Sequence, residues 1–127
     1  MTPENNILIV TPRMEELASL CRSNTLIEAG LYREYDVKRG LRDVNGKGVL
    51  AGLTNISDII AQREVDGILQ PCPGELYYRG IRIEELVQGF VREGRKGYEE
   101  VAYLLLFGRL PDAKELGSFK SLLAQGR

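Results

Sequence analysis

A chain of 127 residues, 43% hydrophobic and 28% charged, has the make-up of one globular domain large enough to bury a core, and not that of a disordered segment. A net charge of -1 gives no electrostatic footprint for nucleic acid or anionic lipid. Histidine is absent, which removes the commonest general base and metal ligand, and no phosphate-binding glycine loop or serine elbow replaces it.

The first 11 residues are polar and then β-branched, and are expected to be extended or frayed. Thr11-Pro12 reads as a helix start: threonine can cap, and proline at the first helical position gives up no hydrogen bond. Leu17, Leu20 and Cys21 then recur at helical spacing, which predicts a helix over about 12–23. A second short helix is expected near 27–35, with Ile27, Leu31 and Tyr35 on one face. Between Leu41 and Leu50, Asn45-Gly46 is the preferred pair for a type I′ turn, so a small two-stranded ribbon is predicted there.

Residues 56–74 read weakly. Ile56, Ile59 and Ile60 suit strand or helix, while Asp66-Gly67 and Pro71-Cys72-Pro73-Gly74 carry loop chemistry. Leu76-Tyr77-Tyr78 predicts a short strand ended by Arg79-Gly80. Ile83, Leu86, Val87 and Phe90 predict a helix, with Glu84 and Glu85 suited to the positive end of its dipole. A break over 94–97 precedes a helix over 98–107, stopped by Gly108 with Pro111 beyond. Asp112 and Glu115 form a capping box for a last helix striped by Leu116, Phe119, Leu122 and Leu123. The fold class is thus mainly α with a small antiparallel β ribbon. Within the 98–107 helix, Val101 to Phe107 is apolar on every side save the Tyr103 hydroxyl. Such a helix needs neighbours all round.

Cys21 and Cys72 have no metal spacing. Cys21 is expected in the core, Cys72 exposed in a loop, and both as free thiols. No secretory signal or membrane-spanning run is visible, and a cytoplasmic location is expected.

Three blocks, LYREYDVKRGLRDVNGKGVLAGLTNISDI, GELYYRGIRIEELVQGF and YEEVAYLLLFGRLPDAKELGSFKSLL, resemble in this order the N-terminal part of citrate synthase. The first is most like the bacterial type with the VKRGLR segment. The likeness runs from Leu31 to Leu123. One departure is Arg82, where relatives carry Asp or Asn; arginine cannot accept the capping amide, which weakens that helix start by ~1 kcal/mol. The resemblance implies that residues 1–127 are an N-terminal segment of the citrate synthase large domain. It implies a homodimeric enzyme that condenses acetyl-CoA with oxaloacetate and water to give citrate and CoA, using two histidines and an aspartate. Acetyl-CoA would be a substrate of the complete enzyme, and no tightly bound cofactor or metal is implied.

Those reacting groups lie beyond the matched region, so no catalytic residue is assigned and the chain alone is expected to be inactive. Arg127 could mark a proteolytic cut, a designed boundary, or the end of a natural truncated homologue acting as an interaction module. A 2-methylcitrate synthase using propionyl-CoA is a close alternative. With its later neighbours gone, the apolar helix is expected to drive formation of a homo-oligomer.

Other residues invite functional readings, each beside a plainer one. Tyr77-Tyr78 could face a ligand, but an alternating strand places one tyrosine inward and one outward. Arg33, Lys38, Arg39 and Arg42 could reach CoA phosphates, but acidic neighbours make them a solvated cluster. Glu84-Glu85 and Glu99-Glu100 could be paired acids, but adjacent residues on a helix do not face each other. Nothing beside Cys72 would make it a nucleophile.

Overall fold

The computed structural model describes residues 9–44, 46 and 48–126. It contains five helices and one small sheet among them. Helix α1 spans Pro12–Thr25, α2 Ala29–Glu34, α3 Ile83–Arg92, α4 Tyr98–Phe107 and α5 Ala113–Gln125. Strands β1 (Ser57–Val65), β2 (Ile68–Tyr78) and β3 (Ile81–Arg82) form an antiparallel sheet in that order. The expected fold class, mainly helical with a small antiparallel ribbon, is the one observed.

The core is formed where α1 and α5 pack against α4. Leu17, Tyr103, Phe107 and Phe119 are buried together, and Leu20, Cys21, Ala102 and Leu122 pack around them. The three rings meet edge to face, with centroids 4.5, 5.4 and 5.8 Å apart. That geometry sets positive ring edges against negative faces.

The termini of the helices follow their sequence signals closely. Thr11 caps α1 through its hydroxyl, which accepts from the Met14 amide at 3.3 Å. Gly97 and Gly108 bracket α4 with φ of 73° and 81°. At Gly97 any side chain would also collide with the Phe90 ring, 2.6 Å from the position a Cβ would take. The capping box of α5 is complete: the Glu115 amide donates to Asp112 at 2.8 Å, and the Asp112 amide donates to Glu115 at 3.0 Å. Arg82, by contrast, gives α3 no side-chain cap and instead meets Glu84 at 3.4 Å. Arg82→Asp is therefore expected to raise the unfolding free energy by about 1 kcal/mol, read as a higher denaturant midpoint at unchanged slope.

Several expectations need correction. The ribbon is not at 41–50, where a lone bridge joins Arg42 and Gly48. Gly46 keeps the positive φ (78°) that the turn chemistry demands; its predicted partner Asn45 lies outside the described residues, as do 1–8. The real ribbon is β1–β2, turned by Asp66-Gly67, both with positive φ (52° and 77°). Two prolines disguised it. Pro73 fits because β2 bulges opposite Ala61, where the ladder skips from the Gln62–Pro71 pair to the Ile60–Glu75 pair, and Pro71 stands at the edge of that bulge. Cys72 is accordingly a half-buried strand residue and not an exposed loop thiol. Tyr77 and Tyr78 are both half-buried, so neither is the outward partner of an alternating pair. Tyr35 closes α2 55% exposed, off the face predicted for it, and Ile27 precedes that helix.

Helix α4 is not bare either. Tyr103, Leu104 and Phe107 are hidden by the chain's own packing. Its opposite flank stays open: Leu106 is 44% and Tyr98 75% exposed, with Val101 and Leu105 half-buried beside them.

Candidate functional site

Tyr78 and Ile81 pair across a two-residue turn, Arg79-Gly80, with φ of 49° and 82°. This is the backbone of a type I′ hairpin, which follows the strand twist but disfavours a residue with a Cβ. The strained arginine is the best-connected polar side chain described. Its Nε and Nη2 donate to the Leu105 carbonyl at 3.2 and 2.8 Å. Its Nη1 donates to the Asn24 carbonyl at 2.9 Å, the Asn55 carbonyl at 3.2 Å and Asn55 Oδ1 at 3.0 Å. Asn55 Nδ2 donates to the same Asn24 carbonyl at 3.1 Å, and the Arg79 amide to Ile56 at 2.8 Å.

Asn24 and Leu105 both lie in the last turns of their helices, α1 and α4. Carbonyls there have no partner within the helix and sit at the negative end of its dipole. One guanidinium thus satisfies two helix ends and ties them to the loop before β1. A cleft of about 370 Å³ opens beside this junction, with Thr54, Ser57, Asp58 and Tyr77 on its walls. The Arg79 guanidinium is already engaged by protein acceptors on all three nitrogens, so its role at that cleft is to hold the wall in place.

A second polar cluster lies on the ribbon. Glu75 accepts from the Tyr77 hydroxyl at 2.7 Å and from Arg63 at 2.6 Å. The tyrosine bond, with Arg63 and Arg82 nearby, pulls the Glu75 carboxyl below its ordinary range; the bond to Glu75 and burial push the Tyr77 phenol up, against the two arginines. A carboxylate so held stays ionised and is a poor proton shuttle. A third cluster lies at the start of α5, where Glu115 accepts from Arg109 through both oxygens, one bond at 2.8 Å. The guanidinium, helped by the Asp112 amide, depresses the Glu115 carboxyl to about 2 from an ordinary 4.5.

Because the folded value is lowered, the stabilisation by Glu115 is fully present above the unfolded value near 4.5 and fades as pH falls towards 2. Acid unfolding of Glu115→Gln is expected to show less pH dependence in that window. The difference should shrink in high salt, since the pair is partly open to solvent.

The remaining sequence candidates are dispersed. Lys38 pairs with Asp36 at 3.1 Å and Arg42 donates to the Gly46 carbonyl at 2.8 Å, while Arg33 and Arg39 are exposed. These four do not converge. Glu100 is held by Arg95 at 2.7 Å, and Glu93 pairs with the same arginine. Glu84 and Glu85 point along the start of α3, where they meet its dipole. Among the described residues, no three His, Cys, Asp or Glu side chains come together as metal ligands would. The sequence reading missed Arg79, taking Arg79-Gly80 only as a strand end. The available signal was a two-residue turn followed at once by Ile81, with an arginine where glycine or asparagine is usual.

The arrangement described is one of charged side chains spent on binding helices and strands together. Residues 40–127 match the family model described as the C-terminal domain of citrate synthase. The chain belongs to the citrate synthase family. It is 32% identical over 102 residues to the glyoxysomal citrate synthase of Cucurbita maxima, covering 77% of this chain and 18% of that protein. It is 46% identical over 50 residues to a citrate synthase of Saccharolobus solfataricus, covering 39% of this chain and 12% of the relative. It is 33% identical over 85 residues to 2-methylcitrate synthase 1 of Corynebacterium glutamicum, covering 67% and 17% respectively. The chain therefore spans less than a fifth of the length of these relatives. No solved structure matches it. Among the described residues, no helix is long and apolar enough to cross a membrane.

Proposed function

We propose that this chain is the N-terminal, scaffold-forming segment of a citrate synthase large domain and does no chemistry alone. The complete cytoplasmic enzyme would be a homodimer condensing acetyl-CoA with oxaloacetate and water to citrate and CoA, with no tightly bound cofactor. The family match over residues 40–127 carries the family, and the lack of a single histidine in the chain carries the reading that it does no chemistry alone. Enolisation of an acetyl thioester needs a base within reach of the methyl group and a donor at the thioester oxygen. The strongest polar sites here, at Arg79, Glu75 and Glu115, are committed to structural partners, which supports a positioning role for the segment.

The 2-methylcitrate synthases of Corynebacterium glutamicum, 33% and 34% identical, favour a second reading with propionyl-CoA. A thiol-release assay tests the scaffold role. The purified chain is expected to release no CoA from acetyl-CoA or propionyl-CoA with oxaloacetate. Added to a relative's enzyme from which the segment matching residues 40–127 has been deleted, it is expected to restore turnover. Turnover by the chain alone would overturn the scaffold role. Failure to restore it would overturn the assignment to this part of the enzyme.

A further inference from the structure

We draw no further inference here: the strongest candidate, the open apolar groove between α3 and α4 walled by Phe90, Val101 and Leu105, is an unpartnered face, and nothing in the structure shows what covers it.

Discussion

Phe107→Ala is expected to cost about 3–5 kcal/mol of folding stability, enough to unfold much of the population at room temperature. The ring is 5% exposed and meets both Tyr103 and Phe119 edge to face. Removing it opens a cavity at the one place where α1, α4 and α5 converge. The described core is small, six buried hydrophobic side chains, so few other contacts remain to absorb the loss. Phe107→Leu keeps most of the volume and should cost well under half as much. The check is chemical denaturation of both variants. Equal midpoints for Phe107→Ala and the parent would mean that the aromatic cluster does not hold the helices together.

The same cluster shows how far the sequence could be read. Helices α1, α3, α4 and α5 were legible because each carries its own punctuation: Thr11-Pro12 for α1, the two glutamates of α3, the glycines around α4 and the Asp112–Glu115 box of α5. Such signals act within a turn of backbone and need no tertiary context. The β1–β2 ribbon was hidden for the opposite reason. Its strand β2 contains Pro71, Pro73 and Gly74; Pro71 pairs with Gln62, and the bulge opposite Ala61 takes Pro73 and Gly74 out of the ladder. A bulge is a property of two strands in register, and neither strand announces it alone. The uniform apolarity of α4 predicts a helix stripped of neighbours. The structure gives half of that: the Tyr103–Phe107 side is clothed by α1 and α5, and the Tyr98–Leu105 side forms the open groove. Composition could show that α4 needs partners all round but could not show which side its own chain would supply. Arg79 was invisible because its acceptors come from three distant segments, and all but Asn55 Oδ1 are backbone carbonyls, which carry no side-chain signature.

Arg79→Ala is expected to cost about 2–4 kcal/mol, since it strips a partly buried cation from several carbonyl acceptors and leaves two helix ends unsatisfied. Arg79→Lys should recover little of that. A lysine is a point donor and cannot span the Leu105 and Asn24 carbonyls as the guanidinium fork does. Backbone conformation supplies a sharper comparison. Arg79 holds φ at 49°, in the left-handed region, where a residue with a Cβ is disfavoured by roughly 1–2 kcal/mol and glycine is not. Arg79→Gly loses the same hydrogen bonds as Arg79→Ala but relieves that strain, so it should be the more stable of the two by about 1 kcal/mol. The order expected by thermal or denaturant unfolding is parent, then Gly, then Ala. Finding Ala above Gly would show that the turn does not carry the strain, and finding all three equal would show that the guanidinium does not bind the helix ends. Asn55→Ala removes one leg of the same junction, the Oδ1 acceptor and the bond to Asn24. Its cost should be non-additive with that of Arg79→Ala, because both act through the Asn24 carbonyl.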